Sequence, residues 1–260
     1  MSSRSLTLLV TLLLLLASFV IVQAQPKTEL LVSAAISMKN AFEEIGRVYE
    51  ATNRDVKVSF NFGASGDLAR QVESGAPVDV FVSASITEME DLDRKGLILG
   101  ETRVNFASNR LVLVVPAGSG LKVTSFVDLQ KLEVKKIAMG NPKTVPAGRY
   151  AEEVLRHYGV MDSLRERLVF AENVRQVLDY VARGEVDAGV VYVTDAMTRP
   201  KEVNVVAMAP EGSHKPILYP IAVIKGTKQE SAARGLVSLV MSQEGRKILE
   251  HYGFEPVQGK

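Results

Sequence analysis

Two serines stand where an apolar, strand-like run gives way to a helical pattern. Ser37 lies in Val32-Ser33-Ala34-Ala35-Ile36-Ser37-Met38, and Ser65 in Phe60-Asn61-Phe62-Gly63-Ala64-Ser65-Gly66-Asp67-Leu68-Ala69. A hydroxyl at a helix start sits beside backbone N–H groups that have no partner within the helix. Two such starts facing one another make an anion cradle that needs no lysine or arginine. The chemistry this suggests is oxyanion capture by hydrogen bonding. Serine at a helix start is also the commonest N-cap, so on these residues alone the capping and ligand readings both stand.

Other chemistries find little support. The chain has no cysteine, which removes disulfides, thiolate metal sites, a cysteine nucleophile and lipid attachment through an N-terminal cysteine. Its three histidines, His157, His214 and His251, are scattered without metal-ligand spacing. No Ser/His/Asp order and no P-loop stands out. A net charge of +1 implies no bulk attraction to nucleic acid or anionic lipid. The lack of tryptophan argues against a sugar-stacking groove. Asp79 reads as a structural carboxylate that ties down a neighbouring loop. Asp67, in the first turn of the Ser65 helix, either favours the helix dipole or accepts a proton from hydrogen phosphate near the cleft.

Strand-like runs alternate with helical patterns, which favours parallel α/β architecture. Strands are expected at Leu30 to Ser33, Val56 to Phe62, Val78 to Ser83, Arg110 to Pro116, Lys136 to Met139, Ala188 to Tyr192, Val203 to Ala207 and Tyr219 to Val223. Helical spacing marks Met38 to Tyr49, Asp67 to Ser74, Ile86 to Lys95, Ala147 to Tyr158, the region of Val174 to Val181, and Glu230 to Tyr252 with a break near Gln243. The length exceeds one ordinary core, so two lobes are expected, residues 25–110 with 203–260 and residues 111–202. With no Pro/Gly-rich tether between them, a hinge with ligand in the cleft follows. In open α/β sheets ligands sit beyond the carboxyl ends of strands. Ser37 and Ser65 lie at such ends, as do the loops Gly140 to Gly148 and Glu172 to Arg175.

Residues 1–24 read as an export leader. Arg4 gives a positive start, Leu6 to Val22 is almost unbroken apolar sequence, and Val22-Gln23-Ala24 offers a small-residue cleavage site before Gln25. The rival is an uncleaved anchor, since about 17 residues is the lower limit for a spanning helix. With no lipid anchor, a periplasm is the simplest compartment.

Several segments resemble the periplasmic molybdate-binding proteins of ABC transporters, the ModA family. They are Ala34-Ala35-Ile36-Ser37, Phe62-Gly63-Ala64-Ser65-Gly66, Gly75-Ala76-Pro77-Val78-Asp79-Val80-Phe81, Val145-Pro146-Ala147-Gly148, Gly189-Val190-Val191-Tyr192 and Tyr252-Gly253-Phe254. They occur in the family's order and cover nearly the whole chain after the leader. Ile36, where an alanine is common, and Ser33, where a larger apolar residue often stands, are departures beside the site.

The resemblance implies a type II two-lobed periplasmic binding protein fold, with the ligand held between the lobes. It implies no cofactor and no enzymatic role. The ligand would be molybdate, with tungstate, and the partner a membrane permease. A monomer is implied, with no nucleic-acid partner. Carried over residue by residue, the ligand contacts are Ser37, Ser65, Ala147, Val174 and Tyr192. The serines would donate through side chain and backbone, Ala147 and Val174 through backbone N–H, and Tyr192 through its phenol. Three rivals stay open: a sulfate or phosphate receptor of the same fold, an exported ester hydrolase, and an organic-acid receptor. The last wants an arginine clamp, for which the candidate segments offer only Arg149 and Arg175.

Overall fold

The computed structural model describes residues 28–257; the expected leader lies outside them. Two five-stranded sheets organise the chain. The first contains β1 (Thr28–Ala35), β2 (Val56–Gly63), β3 (Val80–Val82), β4 (Val104–Ser108) and β10 (Leu218–Val223), in the order β2-β1-β3-β10-β4. The second contains β5 (Leu111–Pro116), β6 (Ile137–Gly140), β7 (Leu168–Ala171), β8 (Ala188–Tyr192) and β9 (Val203–Met208), in the order β7-β6-β8-β5-β9.

The two sheets share one plan. β2, β1 and β3 are parallel, as are β7, β6 and β8, and the fourth strand of each sheet, β10 or β5, runs antiparallel to its neighbours. Central strands are buried on both faces, so β5 and β8 read as the unbroken apolar runs Leu-Val-Leu-Val-Val and Ala-Gly-Val-Val-Tyr. In the first sheet, Leu68, Val72, Phe81, Met89 and Leu92 form a core of their own, separate from the larger cluster around Phe42 and Ile45.

Helices α1 (Lys39–Thr52), α2 (Ser65–Glu73), α3 (Ile86–Arg94), α8 (Glu230–Met241) and α9 (Gln243–His251) pack on the first lobe. α4 (Pro146–His157), α5 (Met161–Leu164), α6 (Val174–Ala182) and α7 (Val193–Ala196) belong to the second. The expected break near Gln243 falls at Ser242, whose hydroxyl caps α9 by accepting from Gly245 N.

One boundary differs from expectation. Sequence order places Val203–Met208 with the first lobe, yet β9 pairs antiparallel with β5 in the second sheet. The chain therefore returns to the first lobe after β9, through residues 209–217, and β10 enters the first sheet between β3 and β4. Strand pairing is a non-local choice that sequence order does not disclose. Two short strands, β4 and β7, also lie outside the expected set; both stand at sheet edges, where pairing is required on one side only. Among the described residues, no helix is long and apolar enough to cross a membrane.

Candidate functional site

Parallel strands in each lobe end on the side that faces the other lobe. Ala35 is paired with Gly63 at the ends of β1 and β2, and Gly140 with Ala171 at the ends of β6 and β7. The segments that follow close on one narrow cleft, lined by Ser37, Ser65, Ala147, Val174 and Tyr192 together with Ala84, Asn173 and neighbouring apolar residues. All five residues singled out from the sequence thus meet, three from the second lobe and two from the first.

Neither serine is an N-cap. Ser37 lies inside a 3-10 turn, Ile36–Met38, that leads into α1, and Ala35 stands at its cap position. Ser65 is the first residue of α2, after Ala64. No side-chain cap bond forms at either start. The hydroxyls are instead held from behind: Ala84 N donates to Ser65 Oγ at 3.0 Å, and Ser37 Oγ lies 3.2 Å from Tyr219 Oη. An amide N–H can only donate, so Ser65 has its own proton left for the cleft.

The second lobe contributes backbone. Pro146 opens α4, where its missing N–H costs nothing, and Ala147 is the second helical residue. Gly148 lets this helix start lie against the end of β6, because a Cβ there would collide with the Gly140 carbonyl. Asn173 caps α6, its Oδ1 accepting from Gln176 N at 3.0 Å, and Val174 follows as the first helical residue. The first N–H groups of a helix have no intrahelical acceptor. Ala147 and Val174 therefore present donors although their side chains carry no chemistry.

Tyr192 ends β8 and is 1% exposed, and its hydroxyl has no partner among the described residues. An unpaired buried hydroxyl costs about 1–3 kcal/mol. Burial pushes its phenol well above the ordinary value, with nearby Tyr219 adding to the effect. It stays protonated and able to donate.

Contacts cross the cleft outside the cradle. Gly66 N donates to Thr144 O at 3.0 Å, and a Cβ on Gly66 would lie 2.7 Å from that oxygen. Arg149 of α4 pairs with Glu88 of α3 at 2.5 Å. Arg175 of α6 binds Asp195 at 2.5 Å and reaches Asn40 of α1 at 3.0 Å. Burial raises the Asp195 carboxyl despite the adjacent Arg175. Both arginines are thus engaged with protein carboxylates rather than lining the cleft. Asp67 is likewise absent from the cradle: it pairs with Arg70 on the exposed face of α2. Asp79 is structural, its carboxylate accepting from Leu31 N at 2.7 Å and from the Thr227 hydroxyl. Among the described residues, no cluster of three or more His, Cys, Asp or Glu is placed to hold a metal ion.

Sequence reading missed Ala84, which lines the cleft, and Asn109 and Tyr219, which lie behind it, and it marked Asn173 only as part of the loop Glu172 to Arg175. Only Asn173, an Asn at a helix start, carried a local signal.

The profile of the bacterial extracellular solute-binding protein family matches residues 30–255. YvgL of Bacillus subtilis (strain 168), whose name describes an ABC transporter substrate-binding lipoprotein, is 40% identical over 89% of this chain and 88% of its own length. The molybdate-binding protein ModA of Haemophilus influenzae is 38% identical, covering 86% of this chain and 88% of that one. The solved periplasmic molybdate-binding protein of Azotobacter vinelandii superposes with a TM-score of 0.80 at 27% identity, over 88% of this chain and all of that one.

Proposed function

This chain belongs to the bacterial extracellular solute-binding proteins, in the group of the ModA proteins, and we propose that it captures molybdate, and tungstate with it, for delivery to the permease of an ABC importer. The observation that carries this reading is the convergence of five donor positions on one small cleft that no carboxylate lines. Ser37 and Ser65 donate hydroxyls, Ala147 and Val174 donate backbone N–H, and Tyr192 finds in the anion the acceptor it otherwise lacks.

Selectivity follows from the sign of these groups. A site of donors matches a fully deprotonated dianion. Hydrogen phosphate brings an O–H of its own, and a buried donor left unmet costs about 1–3 kcal/mol. Asp67 is not placed to accept that proton, because it does not line the cleft and pairs with Arg70. Sulfate carries the right charge and is refused by size: its shorter bonds leave some donors out of reach. The arginines that an organic-acid clamp would use are committed to Glu88 and Asp195.

Closure completes the donor set, since Ser37 and Ser65 stand on one lobe and Ala147, Val174 and Tyr192 on the other. A ligand that touches both lobes stabilises the closed form by its differential affinity for it, and that form is what the permease reads. The protein acts as a receptor rather than an enzyme, as a monomer in the periplasm; having no cysteine, it has no thiol for lipid attachment. Isothermal titration with molybdate, tungstate, sulfate and phosphate tests the reading. Tight binding of the first two alone supports it, and binding of sulfate or phosphate instead would replace the ligand.

A further inference from the structure

Behind Ser37 runs a buried chain of polar groups that do not line the cleft. Asn109, between β4 and β5, places its Nδ2 2.9 Å from Thr194 Oγ1 and 3.2 Å from Tyr219 Oη. Tyr219 Oη in turn lies 3.2 Å from Ser37 Oγ. Asn109, Thr194, Tyr219 and Ser37 are each less than a tenth exposed.

The fixed donors at one end constrain the protons along this chain. Arg110 N donates to Asn109 Oδ1 at 2.9 Å, which fixes the amide so that its NH₂ faces the two hydroxyls. An NH₂ group only donates. Tyr219 Oη therefore accepts from Asn109, and its own proton has Ser37 Oγ as the remaining partner among the described residues. Burial, the largest influence on this phenol, holds its titration well above the ordinary value, so that proton is present. Were Ser37 to donate backward instead, the Tyr219 proton would be buried without an acceptor.

We infer that Asn109 and Tyr219 are positioning residues that make Ser37 an acceptor from behind, so that its hydroxyl proton points into the cleft. This rests on the oxyanion reading above and adds to it a selectivity device. Ser65 reaches the same polarity by another route, accepting from the Ala84 amide. One serine is set by backbone and the other by a side-chain relay reaching 110 residues from Asn109 to Tyr219 and 182 from Tyr219 to Ser37. Asn109 also joins the lobes, bonding Thr194 of the second and Tyr219 of the first.

The relay can be reversed by one atom. In Asn109→Asp the Nδ2 donor becomes an oxygen acceptor, so Tyr219 donates to it and Ser37 turns to donate to Tyr219. Molybdate titration of the full chain compares wild type, Asn109→Asp, Tyr219→Phe and the double variant. Asn109→Asp is expected to lose about tenfold or more in affinity, whereas Tyr219→Phe, which frees the Ser37 rotor without reversing it, loses less than about threefold. Deleting the Tyr219 hydroxyl disconnects the introduced carboxylate from Ser37, so the double variant should return to within about threefold of Tyr219→Phe. A double variant as weak as Asn109→Asp would overturn the relay, since neither through-space repulsion by the new charge nor loss of packing needs Tyr219.

Neutron diffraction from deuterium-exchanged crystals of the wild-type chain supplies a readout independent of folding in the variants and of the ligand's identity. A Tyr219 deuteron aimed at Ser37 Oγ, with the Ser37 deuteron aimed into the cleft, is the expected result. A Ser37 deuteron aimed at Tyr219 overturns the inference. If wild type fails to bind molybdate, the ligand reading falls while the deuteron positions still decide the relay.

Discussion

Removing the hydroxyl of Tyr192 should separate the cost of an unpaired donor from its use. In Tyr192→Phe the ring keeps its place in the core, 6.0 Å from the Tyr219 ring in an edge-on arrangement, and only the oxygen goes. Because that oxygen has no partner among the described residues, its deletion breaks no protein hydrogen bond. The desolvation penalty it relieves is about 1–3 kcal/mol in a closed, dry site. Hydration of the empty cleft recovers part of that, so the ligand-free protein should hold its stability or gain up to about 1 kcal/mol. At this size such a gain raises the melting temperature by roughly 2–4 °C.

Binding should move the other way. A neutral hydroxyl donating to an anion contributes about 1.5–3 kcal/mol, which is about 10- to 150-fold in Kd. Scanning calorimetry of the empty protein, paired with titration of molybdate into the same samples, reads both quantities. Unchanged affinity would remove Tyr192 from the donor set. A fall in the ligand-free melting temperature would show that the hydroxyl has a protein partner and a structural role, and the reasoning from its isolation would fail.

Three further perturbations probe other parts of the site. Ser37→Ala with Ser65→Ala removes two donors to the anion, for a loss of about 10²- to 10⁴-fold by titration; circular dichroism should show the α/β fold retained, and wild-type affinity would contradict the assignment. Gly66→Ala places a Cβ 2.7 Å from Thr144 O across the cleft, so small-angle scattering should show no compaction on adding molybdate and affinity should fall at least tenfold, with thermal stability preserved. Burial pushes the Tyr150 phenol up to about 12, against roughly 10 in the unfolded chain; its contribution is whole below pH 10 and is lost as pH rises from 10 through 12, amounting to roughly 2–3 kcal/mol. Urea denaturation at pH 9 and pH 12 should therefore show a smaller loss for Tyr150→Phe than for wild type, and equal losses would contradict the shift.

What could be read in the sequence was local. The runs at β1, β5 and β8 are apolar because those strands are covered, and the helical spacing of Val174, Val177, Leu178 and Val181 names the buried face of α6. Ser37 and Ser65 were visible as polar residues at strand ends. Ala147 and Val174 were not visible from chemistry, since only their backbone donates; the ordered resemblance of whole segments located them. The N-cap alternative failed because Ala35 and Ala64 occupy the cap positions, one residue pattern serving two geometries. The placement of β9 and the partnership of Asn109, Tyr219 and Ser37 depend on pairings across the fold, for which no local periodicity exists. Arg149 and Arg175 show the same limit: beside the donors they are the only arginines an organic-acid clamp could use, and only the tertiary structure assigns them to Glu88 and Asp195.

Diffraction from crystals grown with molybdate, collected on both sides of the molybdenum absorption edge, is the most direct test of the central claim. A single anomalous peak is expected in the cleft, within hydrogen-bonding reach, through its oxygens, of Ser37, Ser65, the Ala147 and Val174 amides and the Tyr192 hydroxyl. A peak elsewhere on the protein, or an empty cleft between closed lobes, would contradict it.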